Sequence, residues 1–184
     1  MTRVAVAVLA LAVWCSRAAA QTSDSIPALR PGGTIIDLND GVHFEISPHT
    51  GLMGGSGTFG LRLGMDYGSF QIELAGEQVI GKTANMYPVS ANAILNLATR
   101  GRLIPYGTVG AGLLLTVPTN TIGDRPVSTL GVSFGGGARY FVASSFGFRA
   151  EVKQYMTSVT NATESGSKLL IFQELALGVV FLFR

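Results

Sequence analysis

Eight segments between Phe44 and Phe183 alternate so strictly that every charged side chain within them falls on one parity and none on the other. Successive side chains of a strand point to opposite faces, so each segment carries two chemically different surfaces. In the last segment Ile171, Leu175, Leu177, Val179, Phe181 and Phe183 share one face, while Glu174, Ala176, Gly178 and Val180 share the other. This pattern predicts a sheet with one face built for an apolar medium.

The predicted strands are Val42 to Met53, Thr58 to Tyr67, Phe70 to Ile80, Met86 to Ala98, Leu103 to Val117, Val127 to Val142, Phe146 to Ser158 and Leu169 to Arg184. An even number of strands allows an up-and-down barrel to close, as in bacterial outer membranes. Gly68-Ser69, Thr99 to Arg102 and Ala143 to Ser145 are short connections. They alternate with Gly81 to Asn85, Pro118 to Pro126 and Val159 to Lys168, and with a short first member, Gly54 to Gly57. Tight turns at one end and longer loops at the other are what a membrane barrel shows, with the short turns in the periplasm. The fold class is therefore all-β, an eight-stranded antiparallel up-and-down transmembrane β-barrel over residues 42–184.

Met1 to Ala20 has a basic start with Arg3, an apolar run from Val4 to Trp14, and Ala18-Ala19-Ala20 before Gln21, which reads as a cleaved secretory signal. The run is too short for a spanning helix of roughly 20 apolar residues. Lipidation of Cys15 is the competing reading, opposed by bulky Trp14 where a small residue is expected. Residues 21–41, with Pro27, Pro31, Gly32 and Gly33, read as a flexible periplasmic lead-in without regular structure. The signal removes Arg3 and Arg17 from 13 Lys+Arg, leaving 11 bases against 11 acids, a formal charge of zero. No basic patch for nucleic acid is indicated. The only cysteine leaves with the signal, so no disulfide can staple the exported chain.

The inward parity carries Glu45, Arg62, Asp66, Glu73, Glu77, Arg139, Arg149, Glu151, Lys153 and Glu174 among many small residues. Side chains can fill the interior of an eight-stranded barrel, and buried charges are costly unless paired. Six acids against four bases nearly pair off. Counting back from the turns predicts Arg62 diagonal to Glu73, Arg139 diagonal to Glu151, and Lys153 opposite Glu174, each pair as cross-strand partners. The outward parity is uncharged, as a lipid-facing surface demands. Phe44, Tyr67, Phe70, Tyr140, Phe148, Phe181 and Phe183 lie on it near the short-turn end and read as an interfacial girdle, with Phe59 and Tyr87 marking a thinner opposite rim. A soluble lipocalin-type barrel would put Lys and Glu on the water face, whereas the polar face here is dominated by small residues suited to a crowded inside.

Arg102-Leu-Ile-Pro-Tyr-Gly-Thr-Val-Gly-Ala-Gly112, Phe134-Gly-Gly-Gly-Ala-Arg-Tyr140, Phe148-Arg-Ala-Glu151 and Gly178-Val-Val-Phe-Leu-Phe183 resemble the small outer-membrane β-barrel proteins of the OmpA-like and opacity-type group. The resemblance covers strands five to eight by sequence and strands one to four by pattern. It implies a barrel among the lipid and lipopolysaccharide of a Gram-negative outer membrane. It also implies that Phe181 and Phe183 form the C-terminal signal read by the barrel-assembly machinery, although here Arg184 follows them.

Three classes of function are open. The first is a non-enzymatic membrane protein that contributes to envelope integrity or presents Gly81 to Asn85, Pro118 to Pro126 and Val159 to Lys168 to an unknown extracellular partner. The second is a narrow porin-like channel, opposed by a packed interior. The third is a lipid-modifying enzyme. Its only histidines are His43 and His49, and Ser47 could touch His49, but no acid is evident to orient the ring and the face is inward. No cofactor site is indicated: Gly135-Gly136-Gly137 lies within a strand and not at a helix start. The sequence spacing reveals no metal-binding set of His, Cys or carboxylates.

Overall fold

A computed structural model describes residues 36–81, 84–118, 127–160 and 167–184. The signal segment, most of the lead-in and parts of the three longer loops lie outside the described residues. Eight strands form a closed barrel: β1 His43–Met53, β2 Ser56–Asp66, β3 Phe70–Ile80, β4 Ala84–Asn96, β5 Leu103–Pro118, β6 Val127–Ala143, β7 Phe146–Thr160 and β8 Ser167–Phe183. Each strand pairs antiparallel with the next in sequence, and β8 closes on β1 with Glu174 opposite Met53 and Phe183 opposite Phe44. Strands of 11 to 17 residues are long enough to cross a bilayer, which takes about 9–11 tilted residues.

The turns follow local chemistry. Met53 pairs with Ser56 across Gly54 and Gly55, at φ +56° and +85°. Two successive positive-φ residues make the two-residue hairpin whose twist matches the flanking strands, and glycine reaches that conformation without a Cβ penalty. At the other end Asp66 Oδ1 accepts from the Gly68 amide at 2.9 Å, and the Tyr67 amide donates to the Phe70 carbonyl at 2.7 Å.

Burial follows parity. All ten predicted interior charges are buried, and among the described barrel-strand side chains no charged one faces outward. The exposed surface is instead a belt of Leu, Val, Ile and Phe, including Leu74, Val109, Leu130 and Leu177. Phe44, Tyr67, Phe70, Tyr140, Phe148, Phe181 and Phe183 are all exposed at the short-turn end.

The reading of residues 21–41 as a lead-in without regular structure needs correction over its last part. Ile36–Asp37 forms a short strand against Arg100–Gly101, and Leu38–Asp40 makes a 3-10 turn capped by the Asp37 carboxylate. The Leu38 amide donates to the Thr99 carbonyl, and the Asn39 side-chain amide to Thr99 Oγ1. The physical reason is apolar: Ile36 and Leu38 join Ile104, Phe141, Val180 and Leu182 in a buried cluster at the short-turn end. These four barrel residues sit on the inward parity, and two apolar residues of the preceding segment cover them. A second buried apolar cluster, Met53, Val79 and Tyr155 with Met86 and Phe172, lies toward the long-loop end.

Candidate functional site: the charged barrel interior

Between the two apolar clusters lies a continuous ionic network. Arg149, from β7, reaches Glu73 at 2.5 Å, Glu151 at 2.5 Å and Glu45 at 3.0 Å. Arg139, from β6, reaches Glu45 at 2.5 Å and Asp66 at 3.2 Å, and also donates to Asn96 Oδ1. Arg62, from β2, reaches Glu151 at 2.7 Å, Glu174 at 3.1 Å and Glu77 at 3.4 Å. Lys153 Nζ lies 2.9 Å from Glu151 and 3.9 Å from Glu73. Tyr106 stands in the middle: its hydroxyl donates to Glu151 at 2.5 Å and accepts from Arg149 Nε at 2.7 Å, and its ring lies 4.9 Å from Arg149 and 5.3 Å from Arg139.

The register agrees with the count from the turns, but the partners do not. Lys153 is opposite Glu174, Arg62 (opposite Ala75) is diagonal to Glu73, and Arg139 (opposite Arg149) is diagonal to Glu151. Yet Glu174 pairs with Arg62, Lys153 with Glu151, and Arg139 with Glu45 and Asp66. Arg62 and Arg139 reach across the narrow bore to other walls, while Lys153 turns along its own strand to Glu151, two residues away. Gln71, Asn92 and Asn96 join through bonds to Glu45, Glu73 and Asp66. Sequence reasoning misses these three and Tyr106 as network members although each lies on the inward parity, which is the signal that could have found them.

Small residues make the room. A Cβ on Gly137 would lie 2.6 Å from the Tyr106 hydroxyl, and one on Gly60 would lie 2.8 Å from both Glu77 Cγ and His49 Cε1. Glycine is the residue that lets another side chain lie flat against the wall.

Two further expectations are corrected. An acid does stand beside His49: its Nε2 is 3.3 Å from Glu77 Oε1. A set of metal-ligating type also exists, since His49, Glu77 and Glu174 each offer one donor atom within 4.8 Å of the others. These residues come from β1, β3 and β8, so no spacing in the chain could reveal them. Ser47 is fully buried, and its hydroxyl has no hydrogen-bond partner among the described residues.

The sequence profile of the outer membrane protein beta-barrel domain family matches residues 6–183. Among solved structures, the fold is similar to the N-terminal β-barrel domain of OprF from Pseudomonas aeruginosa, at 18% identity over 77% of this chain and 97% of that one, with a TM-score of 0.62. It is also similar to Neisserial surface protein A, NspA, at 15% identity over 76% of this chain and 94% of that one, with a TM-score of 0.59. A third similar structure is a major outer membrane protein from Thermus thermophilus, at 9% identity over 78% of this chain and 100% of that one, with a TM-score of 0.54. No curated protein matches the chain. The apolar belt, the sealed ionic interior and the profile over nearly the whole chain agree, and the chain belongs to the outer membrane protein β-barrel domain family, residing in the outer membrane of a Gram-negative bacterium.

Proposed function

We propose that this protein is a non-enzymatic, non-conducting barrel that contributes to envelope integrity and meets any outside partner through its loops. The observation that carries this reading is the interior itself. Ion pairs span the bore between walls, and a buried apolar cluster lies on either side of the network. A cavity beside Ser90, Ser133, Leu114 and Tyr155 measures about 10 Å³, room for a single water. An ion would have to break buried charge pairs to pass, which counts against the porin-like alternative. The enzyme alternative fares no better: Ser47, His49 and Glu77 point into the bore, away from any lipid substrate.

Single-channel recording of the folded full chain in planar bilayers tests this. No regular conductance steps are expected, and steps of uniform size from every insertion would overturn the reading. Lipid and lipopolysaccharide are the partners suited to the apolar belt, and the barrel-assembly machinery is the partner suited to the exposed Phe181 and Phe183. Phe183→Ala is expected to lower outer-membrane insertion in cells while leaving folding into detergent unchanged. Equal loss in both would make Phe183 a packing residue. The loops Gly81 to Asn85, Pro118 to Pro126 and Val159 to Lys168 fall partly outside the described residues.

A further inference from the structure

We propose that His49, Glu77 and Glu174 form a binding site for one divalent transition cation of the zinc type, which pins the barrel's closing seam from inside. The site is built from β1, β3 and β8, and β1 and β8 are the strands whose pairing closes the barrel. All three residues are buried. Imidazole and carboxylate donors at this density suit zinc and its neighbours in the first transition row.

Two independent observations point to a ligand. The first is His49, buried and facing the carboxylate pair, with Nε2 3.3 Å from Glu77 Oε1 and Nδ1 without a hydrogen-bond partner among the described residues. Buried polar groups are normally satisfied, and an imidazole set against two carboxylates is a donor set that a cation can complete. Glu77 Oε2 and Glu174 Oε2 are likewise buried and without a partner, because Arg62 engages Oε1 of each. One oxygen of each carboxylate is therefore spare. The second observation is the charge balance. Six interior carboxylates face four interior cations, a formal excess of two negative charges when the histidines are counted as neutral. The cations are already committed: Arg139 to Glu45 and Asp66, Arg149 to Glu45, Glu73 and Glu151, and Lys153 to Glu151. Among the described residues, Arg62 is the one guanidinium or ammonium within ion-pair distance of Glu77 or Glu174, and its other amino group is held by Glu151 at 2.7 Å. The shortfall is therefore concentrated at the pair that His49 faces, and a dication would cancel it.

The surroundings fit such an ion. Gly60 gives His49 and Glu77 the space to lie side by side. Met53, opposite Glu174 on the neighbouring strand, and Val79, two residues beyond Glu77, shield the site toward the long-loop end. Donor distances of about 2.0–2.2 Å would draw the three residues closer than their present spacing, a change that side-chain torsions can supply.

The test uses the full chain without a histidine tag, folded into detergent micelles in the presence of Zn²⁺ and passed through a chelating resin before metal analysis. One equivalent of zinc should remain with the folded, heat-modifiable protein. Co²⁺ loaded the same way should give visible d–d bands that Zn²⁺ displaces. His49→Gln and Glu174→Gln should each weaken Co²⁺ binding by about tenfold or more, by analogy with losses seen even for outer-shell changes. His43→Gln, at the opposite end of the barrel beside Asp40, should bind as the wild type does. Wild-type protein that folds and retains no metal overturns the proposal, so the outcome does not hang on whether the variants fold. Metal retained equally by His49→Gln overturns the site. Metal-free protein whose His49 ring is protonated would assign the neutralising charge to the imidazole, which also overturns it.

Discussion

Removing the Arg149 guanidinium should be among the most damaging single changes to this barrel, and Arg149→Met isolates its charge because the methionine keeps most of the stem. The guanidinium contacts Glu45, Glu73 and Glu151 and the Tyr106 hydroxyl, and its side chain is almost wholly enclosed. The three carboxylates do not depend on it equally. Glu45 keeps Arg139 at 2.5 Å, and Glu151 keeps Arg62 at 2.7 Å and Lys153 at 2.9 Å. Among the described residues Glu73 keeps Lys153 at 3.9 Å and the Asn92 amide at 3.2 Å. Breaking a buried pair costs about 3–5 kcal/mol, mainly because a charge is left without compensation, and Glu73 is the charge so left. Arg149→Met should therefore lose about 3–5 kcal/mol, while Arg149→Met with Glu73→Gln should regain more than about 1 kcal/mol of that loss, as coupled residues do. The assay is urea unfolding in lipid vesicles followed by far-UV circular dichroism and by gel mobility of unheated samples. Tryptophan fluorescence is no help, because the sole tryptophan, Trp14, belongs to the predicted signal. A loss below about 1 kcal/mol for the single variant, or strict additivity in the double, would refute the view that these ion pairs hold one another in place.

Three smaller perturbations probe other layers of the fold. Val152→Arg puts a charge on the exposed face one residue from buried Lys153, and should cost about 2–4 kcal/mol in the same vesicle assay if Val152 faces the mid-bilayer; a neutral result would place that face in water. Gly137→Ala should cost about 1–3 kcal/mol because its Cβ would strike the Tyr106 hydroxyl and the Ala150 carbonyl, whereas Gly76→Ala meets nothing within 4 Å and should be near neutral. Equal effects at both glycines would dismiss the crowding argument. Leu38→Asp should release residues 36–40 from the barrel mouth without unfolding the barrel, since the buried leucine contributes about 1.5–3 kcal/mol to that docking. Hydrogen exchange at residue 38 should then accelerate by about one to two orders of magnitude, and unchanged protection would show that the turn, and not the leucine, holds the segment.

Strand identity was legible because period two is unusually clean in a barrel that meets lipid on one side and its own polar interior on the other. Leu175, Leu177 and Phe181 could face only one way once Glu174 faced the other, and the structure exposes the first three and buries the last. Register was legible for a related reason: short turns leave little freedom, so the count from Gly68 and Ser69 set β2 against β3. Residues 36–40 were less legible. Ile36 and Leu38 sit among polar and proline-rich sequence, and their burial depends on Ile104, Phe141, Val180 and Leu182, which lie far along the chain. Local pattern holds no trace of such a surface until the barrel has closed and left its inward apolar end uncovered.

Pairing inside the barrel was illegible for a reason that belongs to geometry and not to propensity. Parity and register fix where a side chain leaves the wall, but an eight-stranded bore is narrow enough for an arginine to reach the far side. Arg139 on β6 thus meets Glu45 on β1 and Asp66 on β2, and Arg62 on β2 meets Glu151 on β7 and Glu174 on β8. Each contact joins strands that are not hydrogen-bonded neighbours, so the network supplies ties that the backbone ladder cannot. The ladder fixes each strand to the next, and the ionic network fixes the cross-section. The same bore brings together His49, Glu77 and Glu174 from three separate strands. Sequence spacing therefore underestimates what such a barrel can assemble: any inward residues at similar depth are potential neighbours, and their chemistry has to be read around the whole circumference.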